Sequence, residues 1–161
     1  MNQAIHHIDL LIYLVGDVES VVGYGHTRFI KIESENIAAA TLRFKNNCLG
    51  TIEATTATSP KDFEGSITIM GNKGTIKIGG FASNKIVYFA NDKNTKLNKK
   101  KYDIDIENVY GDGHKKFYKF VNLFLDKKIK KNIFDINNSI KSVKVVEKIV
   151  SSFKSKKIEV V

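Results

Sequence analysis

Two short turn signals constrain the fold of this chain more than any other feature. Asn46-Asn47 separates IAAATLRF from CLGTIEATTA, and Gly71-Asn72-Lys73-Gly74 separates SITIM from TIKIGG. Asparagine tolerates positive φ and glycine adopts it freely, so each signal predicts a hairpin between two β-rich runs. Residues 37–45 and 48–57 form the first predicted pair. Hairpins imply antiparallel pairing. Upstream, VESVVGYGHTRFIKI predicts one long or bulged strand over 18–32, with Gly23 and Gly25 marking a bulge or a close approach. KIVYFA and KYDIDI predict two shorter strands flanking the polar loop 91–100, and KIEVV predicts a closing strand. Up to KYDIDI the sum is roughly seven strands, with KIEVV as a final one.

Helical periodicity brackets this β-rich stretch. Asn2 is placed to cap a helix running to about Val15, with Gly16 as its stop signal and Ile5, Ile8, Leu11, Ile12 and Val15 on one face. From His114, Phe117, Phe120, Val121, Phe124 and Leu125 fall on a second stripe. A third helix, capped near Asn137 or Asn138, carries Ile140, Val143, Val146, Val150 and Phe153. The order of elements predicts an α+β fold: a large, mostly antiparallel open sheet with helices packed on one face. The other face, carrying Ala38, Ala40 and Leu42 or their alternate neighbours, is then available for homo-oligomerisation.

Bulk properties narrow the function classes. A length of 161 residues suits a single domain over 1–161. The net charge of +9 invites a nucleic-acid reading. Against it, the 26 basic residues are lysines except for Arg28 and Arg43, and bidentate recognition of bases and phosphates favours arginine. The lysines run from Lys31 to Lys157, and the local cluster of Lys96 with Lys99 to Lys101 reads as a solvated loop. Cys48 stands alone, which forbids an intrachain disulfide and suits a reducing compartment. No basic leader precedes the first apolar run, and Asp9 interrupts it, so a cytoplasmic location and no membrane partner are expected.

Residues able to do chemistry are few. Gly23-Tyr24-Gly25 has arginine at 28 and continues as strand, so it is not a dinucleotide fingerprint. Neither Gly111-Asp112-Gly113 nor any other run gives a phosphate loop. Zinc spacing is absent, and neither a serine nor Cys48 sits in a nucleophile elbow. His6 and Asp9, three apart, can share one side of a helix, whereas His7 points elsewhere. Two readings stay open: a solvated helix edge, or a carboxylate that orients an imidazole for proton transfer. His114, after two glycines in YGDGH, raises the same choice between a capping turn and a close approach to a ligand.

Beyond periodicity, MNQAIHHIDLLIYLVGDVESVVG resembles the start of the C-terminal domain of the glucose-fructose oxidoreductase / inositol dehydrogenase (Gfo/Idh/MocA) family. The likeness rests on Asn2, His6, Asp9, Leu10, Leu11, Leu14, Gly16, Asp17 and Val18. It continues through the two hairpins and the two later helices, almost the whole chain. Asn2 followed by Gln3 is similar to the nucleotide-sugar branch, the 3-dehydrogenases of UDP-N-acetylglucosamine derivatives. The resemblance implies an NAD(P)-dependent oxidoreductase acting on a sugar CH-OH. In such an enzyme this domain supplies the substrate pocket and the oligomerisation sheet. It implies His6 as the catalytic base or acid and Asn2, Asp9, Tyr110 and His114 as substrate-binding residues. It also implies that the Rossmann domain and its lysine are not among these 161 residues, so this chain alone is expected to bind no cofactor and to be inactive. A nucleotide-binding domain in trans is a possible partner, and the alternative is a non-catalytic binding or assembly module from the same family, from a truncated or split gene.

Overall fold

A computed structural model describes residues 3–61, 63–80, 82–105, 113–129 and 136–161. In chain order the elements are α1 (Ala4–Val15), β1 (Val18–His26), β2 (Ile37–Phe44), β3 (Leu49–Thr55), β4 (Ile67–Gly71), β5 (Gly74–Gly79) and β6 (Lys85–Asn91). A 3-10 turn (Lys99–Tyr102), α2 (Gly113–Leu125), α3 (Ile136–Ser155) and β7 (Glu159–Val160) follow. The expected α+β fold with antiparallel open sheets is present, its strands bonded as a sheet of four and a sheet of three. The chain divides into two compact units, Met1–Phe63 with Phe134–Val161, and Glu64–Ile133.

In the first unit the sheet order is β3-β2-β1-β7. Ile8 of α1, Val18 and Val21 of β1, Ala40, Leu42 and Phe44 of β2, and Val145 and Ile149 of α3 form one buried cluster. The alternation of β2 settles which face the helices cover: Ala38, Ala40, Leu42 and Phe44 point inward. Their alternate neighbours Ile37, Ala39, Thr41 and Arg43 line the open face, opposite Tyr24, Leu49, Thr51 and Glu53 in the ladder.

Helix α1 ends where the sequence says it should. Gly16 takes φ 121°, and its N–H donates to the Ile12 carbonyl at 2.9 Å. The Asn46 amide from the β2–β3 turn donates to the Val15 carbonyl at 2.8 Å, and Asn47 adopts φ 66°. The hairpin turn therefore also caps the helix. At the other end Gln3 occupies the capping position without a side-chain hydrogen bond, and Asn2, the expected cap, lies outside the described residues.

In this unit two local expectations are corrected and one open choice is decided. The strand predicted over 18–32 stops at His26. Asn36, buried, accepts from the Arg28 N–H at 2.8 Å and donates to the Arg28 carbonyl at 2.6 Å. That clamp uses the backbone groups a longer ladder would need, and Phe29 turns at φ 67°. Of the two predicted roles for the strand glycines, close approach is the one found. A Cβ on Gly23 would lie 2.6 Å from the Ala39 carbonyl, and one on Gly25 would enter the Phe153 ring. On α3 the buried line is Ser142, Val145, Ile149 and Ser152, one step away from the predicted stripe, while Ile140 and Val143 are exposed. The two serines donate back to Ser139 and Ile149 carbonyls at 2.9 and 2.7 Å, which hides their hydroxyls and lets the helix sit close to the sheet.

In the second unit β4, β5 and β6 form an antiparallel meander, with the two-residue turn Asn72-Lys73 between paired Gly71 and Gly74. KYDIDI is not a strand over its described part. Lys99–Tyr102 closes into 3-10 geometry, and Ile104 instead pairs with Asn84 through both backbone and side chain, at 3.1 and 2.7 Å. Helix α2 starts at Gly113 with Phe120 and Val121 half-buried, and α3 starts at Ile136, ahead of the predicted caps.

Candidate functional site

The first turns of α1 carry the candidate chemistry. Ile8, Leu11, Ile12 and Val15 pack on the sheet, and this fixes the roll of the helix about its axis. Rolled this way, the helix presents His6 and Asp9 to solvent on its outer side, with Tyr13 beyond them. Both side chains are exposed, so the imidazole of His6 is accessible from solvent. His7 faces the flank, half-buried, and burial together with the neighbouring His6 pushes its pKa below the ordinary 6.5. That difference separates the two histidines: one is exposed, the other is held towards neutrality by its surroundings.

His114 stands on the second unit, exposed in the first turn of α2. Asn2 and Tyr110 lie outside the described residues. The structure thus brings His6 and Asp9 together on one helix face. Two hollows lie elsewhere. One, of about 530 Å³, is bordered by His26, Glu33, Glu35, Phe153 and Lys154; the other, of about 420 Å³, sits beside β6. Sequence reasoning missed the first because it placed 27–32 in a strand; the polar run Glu33-Ser34-Glu35 was the available sign of a loop.

Among the described residues no group of three His, Cys, Asp or Glu side chains is placed to hold a metal ion. Every strand pair is antiparallel, and no described strand runs through a glycine-rich turn into a helix, the geometry that presents backbone N–H groups to a pyrophosphate. No described helix is long and apolar enough to cross a membrane.

Comparison with known proteins extends this geometry. The chain overlays the WlbA dehydrogenase from Bordetella pertussis, solved in complex with NADH and UDP-GlcNAcA, with a TM-score of 0.89 and 33% identity, covering 100% of this chain and 47% of that one. The WlbA dehydrogenase from Chromobacterium violaceum, solved with the same two ligands, gives a TM-score of 0.85 and 30% identity over 100% of this chain and 45% of that one. A levoglucosan dehydrogenase solved with NADH and levoglucosan shares the fold at 17% identity and a TM-score of 0.74, over 98% of this chain and 48% of that one. The chain spans just under half the length of these relatives. No curated protein matches it. The profile of an oxidoreductase family, described as its C-terminal alpha/beta domain, matches residues 1–161. From end to end, then, this chain belongs to the Gfo/Idh/MocA oxidoreductase family, as its C-terminal alpha/beta domain.

Proposed function

We propose that this chain is the substrate-binding and oligomerisation half of an NAD(P)-dependent nucleotide-sugar dehydrogenase. One observation carries the reading: similarity over the whole of this chain, at 33% identity, to part of a dehydrogenase solved with NADH and UDP-GlcNAcA. In this reading His6 takes the proton from the sugar hydroxyl that is oxidised to a carbonyl, or returns it to the carbonyl oxygen in the reverse direction. Its exposure on the outer side of α1 leaves the ring free to meet a sugar. Asn2, Asp9, Tyr110 and His114 orient the sugar through hydrogen bonds. A positioned base contributes about 10²–10⁴-fold, far short of what hydride transfer needs. In this reading the cofactor is held by a nucleotide-binding domain acting in cis or in trans.

The open face of the first sheet is the proposed contact between copies of the chain. It mixes Val22, Tyr24, Ala39 and Leu49 with Thr41 and Thr51, and Tyr24 is 73% exposed. Exposed, unpaired Cys48 suits work in the cytoplasm. The alternative reading is a binding or assembly module of the same family without catalysis. The discriminating experiment adds a purified nucleotide-binding domain of this family to the chain, with NAD and a UDP-sugar. NADH formation that depends on His6 supports the dehydrogenase half; its absence, with UDP-sugar still bound, supports the module. NADH formation by the chain alone would overturn both.

A further inference from the structure

Packing of Ile8, Leu11, Ile12 and Val15 fixes the roll of α1, but an apolar stripe does not by itself decide where along its axis a helix stops. Packed helices shift over their neighbours by about 1–2 Å in switching proteins. In α1 the end away from His6 is held by polar bonds. The Gly16 N–H closes the last turn on the Ile12 carbonyl at 2.9 Å. The Asn46 side chain then makes two bonds together. Its Nδ2 donates to the Val15 carbonyl at 2.8 Å, and its Oδ1 accepts from the Cys48 N–H at 3.1 Å. One amide therefore holds the helix end and shapes the β2–β3 turn.

Two further ties meet at the same corner. The Lys45 N–H donates to the Asp17 carbonyl at 2.9 Å, beside the pairing of Val18 with Phe44. The Asp17 carboxylate accepts from the Lys141 ammonium of α3 at 2.8 Å. The end of α1, the start of β1, the β2–β3 turn and α3 are thus joined in one place. At the other end of the helix the capping residue, Gln3, makes no side-chain cap hydrogen bond. His6 lies ten residues before Gly16, about 15 Å along an unbroken helix. A shift of the helix at the corner is therefore carried to His6 and Asp9.

We infer that Asn46 is a positioning residue for His6, setting from the far end of α1 where the imidazole meets its substrate. The inference rests on the reading of His6 as the proton-transfer group. The role needs an amide, because the carbonyl of Val15 requires a donor and the N–H of Cys48 an acceptor. It also separates the two asparagines of the turn: Asn47 supplies a backbone at φ 66°, whereas Asn46 supplies the bridge. Precision at such a group matters, since a misplacement of about 1 Å costs up to about 100-fold in rate.

Imidazole NMR signals of the whole chain, followed in Asn46→Asp and Asn47→Gly, test it together with calorimetric titration by UDP-GlcNAcA. Asn46→Asp keeps the acceptor for Cys48 but sets a carboxylate against the negative end of the helix. It is expected to move the ring signals of His6 and His7, to leave those of His26 and His114 in place, and to weaken UDP-GlcNAcA about threefold. Asn47→Gly, which suits a positive φ without strain, is expected to leave all four signals and the affinity unchanged. An unmoved His6 signal in Asn46→Asp would overturn the inference. So would movement of all four signals alike, which means general loosening, or a moved His6 signal with unchanged affinity. Absence of UDP-GlcNAcA binding in the unaltered chain would remove the role together with the sugar reading, and is told apart because it precedes any substitution.

Discussion

The two units are built on opposite principles. The first closes eight side chains from α1, β1, β2 and α3 into one buried cluster, with Leu42 and Ile149 fully inaccessible. In the second, Ile67 is the one apolar side chain among the described residues that reaches a buried state, at 7% exposure, and lysines cover the surface. Hydrophobic stabilisation scales with apolar area removed from water, so the fold's stability resides mainly in the first unit. The second contributes little buried apolar surface to holding the chain together. A domain can thus hold one helix rigid in a well-packed unit and leave another unit with a lower local stability.

The largest effect should come from the first unit's core. Leu42→Ala is expected to cost about 2–5 kcal/mol in urea denaturation, and Ile86→Ala on half-buried β6 no more than about 1–2 kcal/mol. Equal costs would break the comparison. Next comes Gly25→Val, which forces the Phe153 ring off β1; about 1–3 kcal/mol is expected. Its counterpart in the second unit, Gly113→Ala, meets nothing within 4 Å and should be neutral or slightly stabilising by thermal melting. Asn36→Ala strands both backbone groups of Arg28 and should cost about 1–3 kcal/mol, with faster amide exchange over 27–36 as its signature.

The smallest effect is electrostatic. Burial lowers the pKa of His7, so the unfolded chain binds its proton more readily than the folded one. The neutral form stabilises the fold fully above the ordinary value of 6.5, and that contribution falls away as pH drops below it towards the folded value. His7→Gln should flatten stability across that window, measured as the urea midpoint against pH. Asp17, lowered mainly by its hydrogen bond from Lys141, acts further down. Its contribution is present above the ordinary 3.8 and disappears as pH falls through the lower folded value.

Local signals carried the fold a long way. Asn46-Asn47, Gly71 to Gly74 and the Gly16 stop are decided within a few residues, and each appears where periodicity and turn chemistry place it. What pattern could not decide was fixed at long range. β1 ends at His26 because of a clamp from Asn36, ten residues on. α3 buries Ser142 and Ser152 rather than Ile140 and Val143, their hydroxyls returned to carbonyls of the same helix, while Phe153 fills the space over Gly25. The choice between Ala38, Ala40 and Leu42 and their neighbours is a matter of which face meets a helix, and strict alternation is symmetrical on that point. At the candidate site the limit is different. A histidine on the outer side of a helix has no periodic signature, so spacing left His6 and Asp9 undecided, and family resemblance singled them out.

The central claim, that these residues form the sugar-recognising half of a dehydrogenase, is tested most directly by calorimetric titration of the chain with UDP-GlcNAcA. Saturable binding that weakens about tenfold in both Asn2→Ala and His6→Ala, and survives in His7→Gln, is the predicted result. Binding that is absent, or indifferent to Asn2 and His6, would contradict it.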